Sequence, residues 1–147
     1  MSGGTIKKSY LIGAFCLALF AAMVWPQILL LVLLQSDTNT VRAINALRAD
    51  VLKYTKQHGK PPADLSGIGL PELKIFSRDS RDFKKLHRHN RITQVELRPN
   101  GGLEALSAST SAYSGADGKW LYDPLTGAVA LGCYGTFTHN GQPWYRY

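Results

Sequence analysis

The chain has 147 residues and a formal net charge of +7. This length allows one small domain and an anchor. The two cysteines, Cys16 and Cys133, lie in segments of different character. They are therefore not expected to pair, and they indicate no particular redox compartment.

Residues 9–35 contain no charged side chain and are predicted to form a transmembrane helix. A helix needs about 20 apolar residues to cross a bilayer, and this segment is longer. Lys7 and Lys8 precede it, whereas Asp37 is the first charge after it. The positive-inside rule then predicts a cytoplasmic leader at residues 1–8, a single pass through the inner membrane, and a head outside, residues 36–147. Pro26 is expected to kink or locally open the helix.

The helix is predicted to continue over residues 38–58 with an amphipathic character. Val41, Ile44, Leu47, Val51 and Tyr54 recur at steps of three or four residues, which places them on one stripe. The sequence Gly59-Lys60-Pro61-Pro62 then ends the helix, because glycine favours a left-handed cap and proline cannot continue. The stripe predicts that this half packs on the rest of the head.

The remainder of the head is predicted to be rich in β-structure over residues 92–147. A short basic helix is expected at 78–89 with Phe83 and Leu86 buried, then strands at 92–98 and 103–106, a loop at 107–118 and a final strand at 143–147. The sharpest signal is a β-hairpin with a proline–glycine reversal. Its structural residues are Trp120, Tyr122, Asp123, Pro124 and Gly127. The predicted fold class is α+β, with a long helix packed on a small antiparallel sheet.

A basic stretch at residues 74–91 carries the whole charge excess of the head. Its members are Lys74, Arg78, Arg81, Lys84, Lys85, Arg88 and Arg91. We interpret this stretch first as a solvated face, and second as a patch for an anionic partner. Binding of DNA is the weaker form of that second interpretation, because only Phe76 and Phe83 could stack on bases.

No catalytic residues, cofactor or small-molecule substrate are predicted, since no serine lies in a nucleophile motif and no glycine-rich phosphate loop occurs. No metal site is predicted either. His87 and His89 are two residues apart but lack a third ligand nearby in the sequence. Asp117 and Asp123 flank the start of the hairpin, and Asp123 is interpreted as a turn residue in preference to a calcium ligand.

Two sequence pieces, YTKQHGKPP (residues 54–62) and WLYDPLTG (residues 120–127), follow an apolar N-terminal helix in this chain. In this order they resemble the type IV pilins and the pseudopilins of type II secretion systems. The resemblance implies a pilin-like head and a filament core formed by packed apolar helices. It also implies that other pilin-like subunits and the lipid bilayer are the partners.

The same resemblance implies specific roles at the N-terminus. Cleavage of a leader would fall between Gly4 and Thr5, and Pro26 stands where the family has a kinking proline. Ser9 stands where the family has a glutamate, so a minor, tip-located or non-assembling pilin-like protein is expected instead of a major subunit. The residues expected on the assembly helix are Ser9, Leu19, Ala22, Pro26, Leu30 and Leu34.

Overall fold

The computed structural model describes the backbone of residues 3–99, 117–144 and 147, and the side chains of these ranges from Tyr10 onward. One long helix, α1 (Gly3–His58), has 56 residues and continues through Pro26. This confirms the predicted continuous helix, which begins at Gly3 instead of Ser9. Gly59 ends it with φ of +74°, and its amide donates to Thr55 O at 2.8 Å. The predicted glycine cap is therefore confirmed.

The chain divides into two compact units, Met1–Val32 and Leu33–Tyr147. The sequence predicts this change of character after Gln35. Within the first unit, the described apolar side chains are exposed or at most half-buried along the helix. By length and composition this part of α1 is apolar enough to cross a membrane.

Within the second unit, α1 buries one stripe in the core of the head. Ile44, Leu47 and Val51 are buried, as predicted, and Val41 and Tyr54 are half-buried. The stripe also extends toward the N-terminus through Leu33, Ser36, Asp37 and Thr40, at the same helical spacing. Ser36 accepts a bond from the Phe76 amide, Asp37 accepts one from the Thr138 amide, and Thr40 donates to the Ser36 carbonyl within the helix. The buried stripe is therefore continuous, although part of it is polar.

Six strands follow the helix in the described part of the chain. They are β1 (Leu73–Asp79), β2 (Leu86–Ile92), β3 (Gln94–Leu97), β4 (Lys119–Asp123), β5 (Ala128–Gly132) and β6 (Gly135–Thr136). They form two three-stranded sheets with orders β2-β1-β6 and β3-β4-β5. All pairs are antiparallel except β3 with β4, which is parallel. The α+β class is therefore confirmed. The head has two sheets, one of them mixed, where a single small antiparallel sheet was expected, and its strands begin at Leu73, before the predicted β-rich region at 92–147.

The predicted basic helix at residues 78–89 is also wrong. These residues form the end of β1, a turn and the start of β2, with Ser77 opposite His87 and Phe76 opposite Arg88. Phe83 and Leu86, expected to be buried, are 52% and 49% exposed. The inward-facing positions nearest the turn, Ser77, Asp79, His87 and His89, are polar, so strand alternation is not visible there as hydrophobic alternation.

The hairpin of β4 and β5 confirms the sharpest prediction. Asp123 Oδ1 accepts from the Leu125 amide at 2.8 Å, and Gly127 has φ of +76°. Trp120 and Tyr122 are fully buried, and the Tyr122 hydroxyl donates to Pro62 O at 2.6 Å. The hairpin is thereby fixed against the loop that follows α1.

The strands predicted at 92–98 and 143–147 are present only in part. β3 covers Gln94–Leu97 and lies beside β4, while Pro143 makes a single bridge to Thr136. Trp144 is fully buried, stacks on Phe137 and belongs to the core. The strand predicted at 103–106 and most of the loop predicted at 107–118 lie outside the described residues.

Candidate functional site

The predicted assembly residues whose side chains are described lie on an exposed apolar surface of α1. Leu19, Leu30 and Leu34 are 45%, 48% and 41% exposed, and Ala22 and Pro26 are exposed as well. Larger neighbours such as Trp25 are also exposed. Exposed apolar side chains on all sides of a helix favour a lipid or protein environment. The side chains of Gly4, Thr5 and Ser9 lie outside the described set.

The basic stretch lies on the hairpin of β1 and β2, and all seven predicted cations are exposed. Strand alternation directs Lys74 and Arg78 of β1, and Arg88 of β2, to the outer face. Other members pair with carboxylates: Arg81 with Asp79, Lys85 with Asp82, and Arg91 with Glu72. The outer face of the hairpin is therefore positively charged, whereas the charges of Arg81, Lys85 and Arg91 are balanced by neighbouring carboxylates.

The inner side of the same hairpin carries a feature that the sequence analysis did not predict. His87 and His89 are two residues apart on β2, so they project to one side of the strand. Asp117 lies just before β4, and Cys133 lies between β5 and β6. One potential ligand atom from each of the four residues lies within 4.8 Å of all the others. We call this group the His–Asp–Cys cluster.

Three of these atoms form a small triangle. His87 Nε2 lies 2.8 Å from His89 Nε2, and each of the two nitrogens lies 3.3 Å from Asp117 Oδ1. The His87, His89 and Asp117 side chains are 8%, 19% and 31% exposed, and Cys133 is buried. The cluster is therefore closed on the side of Cys133 and reaches solvent beside Asp117.

A second layer of hydrogen bonds orients the cluster. His87 Nδ1 lies 3.3 Å from Asp79 Oδ2, and Arg81 donates to both oxygens of Asp79 at 3.0 and 2.7 Å. An ionised carboxylate can only accept, so Nδ1 carries the hydrogen. In the neutral ring this leaves the Nε2 lone pair facing His89 and Asp117. Two backbone amides hold the other members of the cluster in place. The Tyr134 amide donates to Asp117 Oδ1 at 3.2 Å, and the Gly135 amide donates to Cys133 Sγ at 3.3 Å.

The electrostatics of the cluster follow from these contacts. The Arg81 guanidinium holds the pKa of Asp79 well below its ordinary range. Burial disfavours the charged forms of Asp117 and His87, but their mutual contacts outweigh it, so the pKa of Asp117 is lowered and that of His87 is raised. Burial raises the pKa of the Cys133 thiol well above its ordinary value. Cys133 is therefore a neutral thiol unless a cation lies beside it.

Glycines allow two of the segments to approach the cluster closely. Gly118 has φ of +79°, and a Cβ there would lie 2.9 Å from two atoms of the His89 ring. At Gly135, a Cβ would collide with Ser77 Oγ and lie 3.2 Å from Cys133 Sγ. Neither position has room for a side chain, so the backbone on both sides of β4 and β5 lies directly against the cluster.

The sequence offered one signal for this site, the His-x-His spacing on a strand. Arg88, which lies between the two histidines in the sequence, is opposite Phe76 and by strand alternation faces the other side of the hairpin. The other two members of the cluster, Asp117 and Cys133, lie 28 and 44 residues after His89 in the sequence. Asp117 and Cys133 could be assigned to the site only once the strand pairing was known.

Comparisons with protein families, with curated proteins and with solved structures found no match for this chain.

Proposed function

We propose that this chain is a membrane-anchored, pilin-like protein that works by assembly and has no chemistry of its own. It would serve as a minor subunit of a pilus, a type II secretion system or a DNA-uptake machine. Its N-terminus would be cytoplasmic and its head would lie on the outer side of the inner membrane. Its partners would be other pilin-like subunits and the bilayer.

The observation that carries this proposal is the change of environment along α1. Between Tyr10 and Val32 most large apolar side chains are more than 40% exposed, whereas from Leu33 onward one stripe is buried in the head. Water is an unfavourable environment for the first part, because burial of each Leu or Ile side chain is worth about 1.5–3 kcal/mol. Lipid before assembly, and neighbouring helices after it, would cover this surface.

The polar junction at Ser36 and Asp37 supports the same arrangement. Ser36 Oγ accepts from the Phe76 amide at 2.9 Å, and Asp37 Oδ2 accepts from the Thr138 amide at 2.8 Å. Each bond joins the helix to a different segment of the head. The junction falls directly after the apolar surface ends, where a helix leaving a bilayer would need polar contacts.

The first test is the intact mass of the protein extracted from native membranes. Loss of Met1–Gly4, with a free or methylated amine on Thr5, is the expected result for a processed subunit. A chain that retains the leader would contradict this form of the proposal. It would favour a fixed accessory protein with the same fold.

The second test uses two arginine substitutions in the same helix. Leu30→Arg places a charge on the apolar surface and is expected to abolish membrane retention or assembly on native gels, because an arginine costs up to about 2.5–3.5 kcal/mol in a membrane-spanning helix. Leu52→Arg is the control, because Leu52 is 54% exposed on the head. Equal behaviour of the two variants would contradict assembly through the N-terminal part of α1.

A second candidate function is that of a monomeric anchored protein whose basic face binds DNA or an acidic partner. The outward cluster of Lys74, Arg78 and Arg88 on one hairpin favours it. This function should survive replacement of the anchor by another transmembrane helix. It should be lost when Lys84, Lys85 and Arg88 are changed to glutamate, a change that an assembly subunit should tolerate.

A further inference from the structure

We propose that His87, His89, Asp117 and Cys133 bind one zinc(II) ion, which ties together the two sheets of the head. Two nitrogens, one carboxylate oxygen and one thiolate sulfur are all zinc ligands, and four protein ligands make a closed structural site. This inference is independent of the proposed assembly function.

The distances between the ligand atoms fit a tetrahedral ion. Bonds of about 2.0–2.1 Å from zinc to nitrogen or oxygen place two ligand atoms roughly 3.3 Å apart at the tetrahedral angle. Asp117 Oδ1 lies 3.3 Å from each histidine nitrogen. His87 Nε2 and His89 Nε2 are 2.8 Å apart and would separate by about half an ångström. Cys133 Sγ lies within 4.8 Å of the other three atoms and would move closer to them. These are side-chain adjustments.

The charge of the site also fits a divalent ion. An ionised Asp117 and a Cys133 thiolate supply two negative charges, and two neutral imidazoles supply none, so the loaded site would be electrically neutral. Thiolate and imidazole ligands favour zinc and related transition metals, whereas calcium and magnesium prefer oxygen ligands. A bound cation also deprotonates a coordinating thiol. The Gly135 amide, which donates to Cys133 Sγ, would stabilise the charge on the sulfur.

The hydrogen bonds behind His87 are of the kind found around the ligands of protein metal sites. Ligand histidines commonly donate their other ring N–H to a carboxylate, which fixes the ring and the tautomer. Asp79 provides this acceptor for His87 and is itself held by two bonds from Arg81. The geometry that directs the His87 Nε2 lone pair toward the cluster thus exists before any ion binds.

A buried polar atom beside the cluster is an independent observation. Ser77 lies opposite His87 in the β1–β2 pairing and is fully buried. Its Oγ has no hydrogen-bond partner among the described residues, and it approaches the same point beside Gly135 as Cys133 Sγ. Such an atom is costly unless something polar lies near it. A metal thiolate would provide an acceptor for the Ser77 hydroxyl.

The test is a metal titration of the full chain, purified in detergent without a histidine tag and stripped with a chelator. Zinc competition against a chromophoric chelator should give one tight site per chain. Cobalt(II) should give the intense near-ultraviolet absorption of a thiolate–cobalt bond and the visible bands of a tetrahedral ion. Zinc should displace the cobalt, and a large excess of calcium or magnesium should not.

Matched variants identify the ligands. Cys133→Ser should remove the thiolate absorption, whereas Cys16→Ser should leave it unchanged, because Cys16 lies outside the head. His89→Ala should abolish tight binding. Asp79→Asn, which changes only the second layer, should weaken zinc binding about 10–100-fold without changing the cobalt spectrum in shape.

Several results would overturn the proposal. The first is that wild-type protein binds less than one equivalent of zinc, or binds it only weakly. Others are a cobalt complex without a thiolate band, displacement by calcium, or a band that is lost with Cys16→Ser and kept with Cys133→Ser. Because the wild-type titration decides the question by itself, misfolding of a variant does not remove the test.

Discussion

Replacement of Leu47 by alanine should reduce the stability of the head strongly. Leu47 is fully buried on the stripe of α1, among Ile44, Val51 and Leu131 in the same core. The change removes three buried carbon atoms, and at about 0.8 kcal/mol for each group the lost burial free energy is about 2.4 kcal/mol. The cavity left behind adds to this, so the expected loss in the free energy of unfolding is about 3–5 kcal/mol.

Leu52→Ala is the matched control, because it makes the same chemical change in the same helix. Leu52 is 54% exposed, so we expect a loss of less than about 1 kcal/mol. The assay is equilibrium unfolding in urea of the full chain in detergent, followed by tryptophan fluorescence. Trp120 and Trp144 are fully buried and report on the head. With a slope of about 1.5 kcal/mol per molar urea, Leu47→Ala should lower the midpoint by roughly 2–3 M.

The result that would refute this reasoning is an equal shift for Leu47→Ala and Leu52→Ala. Equal shifts would mean that the second half of α1 does not pack on the sheets along the observed stripe. A large shift for Leu52→Ala alone would mean that the helix is rotated about its axis.

Two further predictions concern the sheets. Gly135→Ala would press a methyl group against Ser77 Oγ and should lower the free energy of unfolding by about 1–3 kcal/mol. Gly67→Ala is the control: Gly67 has open space around it, so this change should be neutral or slightly stabilising. Equal urea midpoints for the two variants would contradict the observed close approach at Gly135. Tyr122→Phe removes the bond to Pro62 O and should cost about 1 kcal/mol at neutral pH. Burial raises the pKa of Tyr122 from 10.0 to about 12, so the folded state holds this proton more tightly than the unfolded state. The contribution of Tyr122 to stability is complete below pH 10 and is lost as the pH rises toward 12. The urea midpoint of the wild-type protein should therefore fall over this pH range more steeply than that of Tyr122→Phe.

The parts of the fold that could be predicted are those with local signals. The end of α1 depends on Gly59 and the prolines just after it, and the β4–β5 reversal depends on Asp123 and Gly127. In each case residues within one turn of each other determine the conformation. The apolar length of the helix is equally local, since it needs only an unbroken run of uncharged residues.

The parts that could not be predicted depend on distant pairing or on polar residues that face inward. Ser77, Asp79, His87 and His89 occupy the inner positions of β1 and β2, so the alternation that marks a strand is hidden. The basic residues between and around them resemble a solvated helix. The parallel pairing of β3 with β4 joins strands separated by more than 20 residues, and no local pattern encodes it.

The candidate cluster was missed for the same reason. A sequence search for metal sites depends on short spacings between ligands, and here only the two histidines are close in sequence. The other two members of the cluster are Asp117, just before β4, and Cys133, just after β5. Their positions depend on how the two sheets meet, and that arrangement follows from the complete packing of the head.

The bonds between α1 and the late part of the chain have a consequence for folding kinetics. Asp37 bonds to Thr138 across 101 residues, and Arg48 bonds to Val129 O across 81 residues. Closing loops of this length is slow, and it requires the distant segment to be present. At about 5–20 residues per second, a ribosome needs roughly 5–20 s to proceed from Asp37 to Thr138. During that interval the apolar part of α1 has already been made, so its placement in lipid would precede completion of the head.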